Sequence, residues 1–338
     1  MIEILHPKRD RERIVAMLGS TRLVDAWETA EADLAALRKF DAELDDIDLL
    51  DSEAHSRYVV YPWRTAIVRL PDGWLFHKLR TSRNRYLITD EEQHRWSEAL
   101  IAVAGLSVGG SLLHTSVLTG ARRVRIADPD VLGPTNLNRL AGSVCDLGTG
   151  KVALAARRIL ETDPYVHLDV LNDGVTEDTM TAFVGERRGR QPDVILEEVD
   201  DLAAKVMIRR RARMAGIPVV MVTDDGDNVI VDVERYDIDP GYPLFHGRAD
   251  DVASMDDSEL RDPANRIRIA GAIVGDQVGA RTRQALTEVG RSIPSWPQLG
   301  SAATLAGAVG AVIARRIVCG HDVTSGRTHV RIDELLSE

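Results

Sequence analysis

Between residues 101 and 130 the chain reads IAVAGLSVGGSLLHTSVLTGARRVRIADPD. An apolar run ends in Gly105-Leu-Ser107-Val-Gly109-Gly110. A helix-forming segment follows, and a second β-branched run ends on Asp128 and Asp130. A strand that turns through glycines into a helix collects free backbone N–H groups and the positive end of the helix dipole at one point. That arrangement holds phosphates. Against the pattern G-x-G-x-x-G the first and third glycines fit, and Ser107 stands at the second. Serine leaves the backbone approachable and adds a hydroxyl donor. An acid about 20 residues beyond such a turn accepts hydrogen bonds from ribose hydroxyls. NAD and ATP both carry phosphates and ribose, so this stretch alone leaves hydride transfer and ATP chemistry equally open.

The elements that must position these groups alternate. Residues 101–106, 122–128, 166–172, 193–200 and 217–224 read as strands. Residues 107–120, 150–164, 177–186 and 201–216 read as helices. Strands alternating with helices predict βαβ units and a mostly parallel, doubly wound Rossmann-like sheet covered on both faces, an α/β fold. Residues 228–237 suggest a further antiparallel strand. Residues 240–268, polar and proline-containing, read as a crossover loop. Residues 301–320 form a long helix rich in Ala and Gly, suited to close packing in a core or a dimer interface, and 329–336 read as a closing strand.

Residues 1–97 read as a separate α+β appendage, and 98–338 as the main domain. In the appendage Leu23, Trp27, Ala30, Leu34 and Leu37 follow helical spacing. The acidic stretch 41–53 reads as a solvated linker or helix face. Residues 58–79 read as a hairpin, with Pro62 splitting the run and Pro71-Asp72-Gly73 as the turn. Trp63, Trp74 and Trp96 are assigned to its packing. Arg209-Arg-Arg-Ala-Arg213 reads as a solvated helix face, with attraction of an acidic peptide tail as the rival reading.

The 338 residues are 44% hydrophobic and carry a formal charge of −11. An acidic balance argues against nonspecific nucleic-acid binding. No apolar run approaches the ~18–20 residues needed to cross a bilayer, and residues 1–13 lack the apolar stretch of a signal peptide. A cytoplasmic protein without membrane or nucleic-acid partners is expected. The two cysteines, Cys145 and Cys319, are far apart, which excludes a thiolate zinc site.

The stretch DPDVLGPTNLNRLAGSVCDLGTGK, residues 128–151, narrows the choice. It resembles the ThiF/MoeB branch of the ubiquitin-activating-enzyme (adenylyltransferase) superfamily. The family's acidic D-x-D is matched by Asp128 and Asp130, its N-L-x-R by Asn136-Leu-Asn138-Arg139, and its D-[hydrophobic]-G-x-x-K by Asp146-Leu-Gly148-Thr-Gly-Lys151. LEEVDD (196–201) is similar to the segment in which the family carries an aspartate, which places Asp200. The Pro-x-x-Gly turn and closing helix are similar to residues 297–320. The resemblance covers about residues 80–320.

It implies ATP rather than NAD, and adenylation of a carboxylate with release of pyrophosphate. Cations where negative charge develops lower that barrier. The resemblance implies Arg139 and Lys151 as those cations, and Asn136, with Asn138 beside it, as phosphate-loop residues. It implies Asp130 for ribose and Asp200 for Mg²⁺. An arginine reaching a partner's ATP across a homodimer is implied near Arg83 or Arg85, where the match is loose.

The family's crossover cysteine and zinc-binding cysteine pairs are absent, so neither a thioester relay nor zinc is expected. Cys145 is treated as a weak nucleophile candidate and Cys319 as packing. Cysteine-poor relatives modify precursor peptides, with an N-terminal appendage gripping the peptide. A peptide or small-protein carboxylate is therefore the expected substrate. The competing classes are a nicotinamide- or flavin-linked oxidoreductase and a non-catalytic nucleotide-binding module.

Overall fold

The computed structural model describes residues 1–186, 190–249, 251–252, 254–275 and 277–335. The chain separates into two compact units, residues 1–93 with 160–165, and residues 94–159 with 166–338.

The first unit contains β1 (Glu3–Leu5), α1 (Arg11–Leu18), β2 (Arg22–Asp25), α2 (Trp27–Arg38), α3 (Ser52–His55), β3 (Ser56–Tyr61), β4 (Ala66–Pro71), α4 (Gly73–Thr81) and the start of α5 (Asp90–Glu98). Its sheet runs β1-β3-β4-β2, antiparallel except for the parallel β2–β4 pair. Helical spacing overreached at Leu23, which lies in β2 opposite Ile67. The helix starts only at Trp27, whose N–H binds Asp25 Oδ1 at 3.0 Å.

The hairpin is real, but its turn is residues 62–65, with Thr65 at φ 48°. Pro71-Asp72-Gly73 instead opens α4, because Asp72 caps it through Trp74 N and Leu75 N, both at 3.1 Å. An aspartate ahead of a glycine serves as turn residue or N-cap equally well. The acidic stretch 41–53 is only partly solvated, since Leu44 and Leu49 are buried with Leu34 and Leu75. Trp74 is exposed. Trp96 belongs to the second unit, fully buried, with its indole N–H on Thr119 Oγ1 at 3.2 Å.

The second unit contains the rest of α5, β5 (Leu100–Ala104), α6 (Gly109–Leu118), β6 (Arg123–Ala127), most of α7 (Lys151–Thr162), β7 (His167–Leu171), α8 (Glu177–Val184), β8 (Val194–Glu197), α9 (Leu202–Ala215), β9 (Val219–Asp225), β10 (Asn228–Glu234), α10 (Asp257–Arg261), α11 (Pro263–Val274), α12 (Ala280–Glu288), α13 (Gly300–Val318), β11 (Gly326–Val330) and α14 (Ile332–Leu335). The sheet order is β11-β10-β9-β8-β5-β6-β7. The five strands from β9 to β7 are parallel, and β10 and β11 are antiparallel.

Side chains alternate across β5. Ile101 and Val103 pack with α6 and α13 on one face, while Ala102 and Ala104 pack with α8 and α9 on the other. Burial of both faces explains the continuous apolar strands. The chain's order reverses at β5, which has β6 on one side and β8 on the other. The crevice beyond the carboxyl ends of these strands is where such sheets bind ligands.

Residues 240–268 are not a plain loop. Apart from residues 250 and 253, which lie outside the described residues, they hold a 3-10 turn at Leu244–Gly247, α10 and the first part of α11. Leu244, Phe245, Leu260 and Ile269 bury against Leu202 and Val206 of α9. The closing strand lies earlier than expected, at Gly326–Val330, followed by a helical turn, and Leu336 is outside the described residues.

Helix α13 is long and apolar enough to cross a membrane by length and composition, with a mean hydropathy of 1.4, which the reading of apolar runs missed. Its small-residue face is used inside the chain. A Cβ on Gly307 would lie 2.8–2.9 Å from Ser111, and one on Gly310 would lie 2.5 Å from Leu112. Glycine is what lets α13 and α6 approach.

Arg209 departs furthest from its sequence reading. It is fully buried, with Nε 2.6 Å from Glu234 and a short bond to Glu197, and its guanidinium lies 4.2 Å from the Phe245 ring centroid. The α9 face that carries it looks inward onto two sheet carboxylates, so its charge is paired rather than solvated.

Candidate active site

The glycine turn follows β5 directly. Gly105 has φ +83°, and a Cβ there would sit 2.4 Å from the Glu198 carbonyl oxygen. Only glycine fits between the ends of β5 and β8. Gly109 is packed against Val103, whereas a Cβ on Gly110 would meet nothing within 4 Å. The open space beside Gly110 belongs to a cavity of about 230 Å³ whose lining includes Ser107, Gly110, His114, Arg139, Lys151 and Arg158. Helix α6 begins at this wall, so its free N–H groups and dipole add to the cations there.

Ser107 faces Arg139. Its hydroxyl accepts from Arg139 Nε at 3.0 Å. Arg139 also donates to Thr135 O at 3.0 Å and Asn138 Oδ1 at 2.9 Å. The guanidinium is half-buried and tied to the turn. Burial lowers its pKa, against the opposing pull of Asp200 and Asp224. Asn138 is spent on structure: its amide also donates to Gln298 O at 2.7 Å, fastening this loop to the turn before α13. Asn136 Oδ1 accepts from Gly133 N at 2.9 Å and closes its own turn.

Asp128 and Asp130 divide their work. Asp128 is buried and accepts from Leu106 N at 2.6 Å and Asp130 N at 2.8 Å. Burial raises its pKa, against those hydrogen bonds and Lys151. It braces the glycine turn. Asp130 is the exposed acid, and its Oδ2 lies 2.8 Å from Lys151 Nζ. Lys151 itself is buried at the start of α7 and stands 3.8 Å from Asp128. Its backbone N–H binds Asp130 O at 2.8 Å, so strand end and helix start are locked together.

Asp200 and Asp201 follow β8. Asp201 is the N-cap of α9, accepting from Ala204 N at 2.7 Å. Asp200 is exposed, takes no part in the cap, and lines a second cavity of about 400 Å³ with Leu202 and Arg261. Sequence reading could not separate these two acids.

Arg83 and Arg85 belong to the first unit. Arg83 is exposed, and Arg85 lies 3.6 Å from both Asp41 and Asp90. Beside them Tyr86, at φ 68°, is 96% exposed and Leu87 is 85% exposed. Cys145 is exposed and Cys319 buried.

Sequence reasoning missed Asp224, which is buried at the end of β9. Burial pushes its pKa up to about 6, with Asp200 adding to the rise and Arg139 and Gln298 opposing it. The acid-rich strand end TDDGD (223–227) was its only signal.

A parallel sheet with a glycine turn, an acid-braced strand end and cations at one helix start defines a nucleotide-binding α/β unit. The family model for the ThiF family matches residues 81–329, and the chain belongs to that family. The uncharacterized protein MT1398 of Mycobacterium tuberculosis is 36% identical over 292 residues, which is 86% of this chain. The chain spans 40% of that relative's length. Among solved structures, E. coli MccB, the microcin C7 biosynthetic enzyme, is similar in fold in its complex with N-formylated MccA. The TM-score is 0.55 at 14% identity, over 78% of this chain and 72% of that one, and MccB has also been solved with ATP. The E. coli tRNA N6-threonylcarbamoyladenosine dehydratase TcdA, in complex with AMP, gives a TM-score of 0.53 at 16% identity, over 74% of this chain and 96% of that one.

Proposed function

We propose that the second unit binds ATP with Mg²⁺ and adenylates a carboxylate on a peptide or small protein, releasing pyrophosphate. The observation that carries this reading is the gathering of Arg139, Lys151 and the open Gly110 wall on one cavity at the start of α6. Hydride transfer to or from a nicotinamide breaks no phosphate bond, so it needs no cation to follow charge onto a leaving pyrophosphate.

In this reading the α6 N–H groups and Arg139 hold the phosphates, and Asp130 takes the ribose hydroxyls. That releases Lys151, now paired with Asp130, to follow the charge that grows as pyrophosphate leaves. Because Ser107 and Asn138 fix the Arg139 guanidinium before any ligand arrives, little reorganisation is needed at that step. Asp200 is exposed, oxygen-bearing and free of capping duty, as a ligand of Mg²⁺ must be; the ion would neutralise phosphate charge. MccB crystallised with N-formylated MccA supports a peptide as the substrate class. The exposed Tyr86 and Leu87 beside Arg83 and Arg85 support a homodimer in which this turn meets a partner.

The test is the bond that breaks. Incubation with ATP, Mg²⁺ and a pool of peptides with free carboxylates, followed by ³¹P NMR, is expected to yield pyrophosphate and the acyl-adenylate, with free AMP appearing as water or an added amine takes the acyl group. Conversion to ADP and orthophosphate would contradict adenylation.

A further inference from the structure

Among the described residues beside the site, Asp224 is a strongly buried acid that the fold leaves unsatisfied. It is 4% exposed, and neither carboxylate oxygen has a hydrogen-bond partner of good geometry among the described residues, although the Gln298 side chain leans on it. Its neighbour Asp225 is spent on α12, accepting Gly279 N at 2.8 and 3.0 Å. An ionised carboxylate buried without a partner is costly, so its retention calls for a cation. Arg139 attracts it from a distance but directs its own hydrogen bonds to Ser107, Thr135 and Asn138.

Topology supplies the second acid. The β8–β9 register pairs Leu196 with Val220. Just past the ladder the Glu198 side chain still reaches β9, its Oε1 accepting from Val222 N at 2.7 Å, so the segment that leads to Asp200 leaves the sheet beside the end of β9 that carries Asp224. The two aspartates act on each other and on Arg139.

We propose that Asp224 is a second carboxylate ligand, with Asp200, of the divalent cation that accompanies the nucleotide. The proposal rests on the adenylation reading. Two carboxylates form an all-oxygen donor set suited to Mg²⁺ or Mn²⁺. Among the described residues no group of three or more His, Cys, Asp or Glu is arranged to hold a metal by itself. The cation therefore needs phosphate oxygens to complete its shell, and its binding depends on nucleotide.

The experiment is Mn²⁺ binding followed by electron paramagnetic resonance, with and without α,β-methylene-ATP, on wild type, Asp200→Asn, Asp224→Asn and Asp224→Ser. Nucleotide affinity in EDTA is measured in parallel. Wild type is expected to hold Mn²⁺ tightly only with the analogue. Each variant is expected to weaken it at least tenfold, while Asp224→Asn binds metal-free nucleotide as well as wild type or better, having lost a negative charge. Wild-type Mn²⁺ affinity in both Asp224 variants, with loss in Asp200→Asn, overturns the proposal alone. A wild type that binds no nucleotide, with or without metal, overturns the adenylation reading and this proposal with it.

Discussion

Replacing Gly110 by alanine separates a phosphate cradle from a mere structural turn. Gly110 lies in the first turn of α6 with ordinary helical φ, and a Cβ there meets no atom within 4 Å. Alanine is therefore expected to stabilise the unliganded protein by about 0.5 kcal/mol, the low end of the helical Gly-to-Ala gain. The same methyl projects into the cavity shared with Arg139 and Lys151. Where phosphates must approach the backbone, it should cost at least about tenfold in ATP affinity, or ~1.4 kcal/mol.

Gly105→Ala is the contrast. Its left-handed φ costs about 1–2 kcal/mol, and crowding against the Glu198 backbone at 2.4 Å adds about 1–3 kcal/mol. Urea denaturation without nucleotide and calorimetric titration with ATP·Mg²⁺ read both quantities. The expected signature for Gly110→Ala is a more stable protein that binds ATP poorly. Wild-type affinity in that variant would refute the placement of the phosphates.

Arg139→Ala should reduce ATP·Mg²⁺ affinity at least tenfold, while urea denaturation shows a change of under about 1 kcal/mol, because its bonds are to half-exposed neutral groups. Asp232→Asn should destabilise the fold by about 3–5 kcal/mol at pH 7, since it leaves the buried Arg327 without a counter-charge and replaces the oxygen that Arg327 binds at 2.7 Å by an amide donor, keeping only the one acceptor shared by Arg327 and His246. Those partners hold the Asp232 pKa down to about 2, against the cost of burial. For a depressed acid the stabilisation is present above pH ~4 and lost as pH falls towards 2, so the gap between variant and wild type should narrow by about 2 kcal/mol across that window. A constant gap would assign the effect to packing. Cys145→Ser should leave both pyrophosphate release and the AMP release that follows it within about twofold of wild type, and loss of AMP release with pyrophosphate release retained would reinstate a thiol intermediate.

The βαβ order was legible because the inner strands β5, β6, β8 and β9 are largely buried on both faces and the helices on one, and those two patterns differ along a chain. The glycine turn and the acids after β6 were legible because their spacing is local. What local spacing hides is direction. Nothing in Arg209-Arg-Arg-Ala-Arg213 shows that the first arginine faces Glu197 and Glu234 across the sheet. Asn138 was placed by its motif, and the bond from its side chain to Gln298 O ahead of α13 joins residues 160 positions apart, which no local pattern shows. Ser107 was read from its place in the glycine turn, and that its hydroxyl also accepts from Arg139 was not visible in the turn alone. Asp224 required the order of β8 and β9, which no local pattern encodes. Leu23 fitted helical spacing by accident, since a β2 residue four positions before Trp27 satisfies the same interval.

The claim that this site holds ATP rather than NAD is tested most directly by ligand-induced thermal stabilisation. Wild type and Lys151→Ala are compared with ATP·Mg²⁺, NAD⁺ and NADH. Because Lys151 also pairs with Asp130 and Asp128, each variant is referred to its own unliganded melting temperature. A ligand at 100 times its Kd adds about 2.7 kcal/mol, a rise of a few degrees in Tm for a chain of this size. The account predicts that rise with ATP·Mg²⁺ alone, diminished in Lys151→Ala. Stabilisation by NAD⁺ or NADH without any by ATP·Mg²⁺ would contradict it.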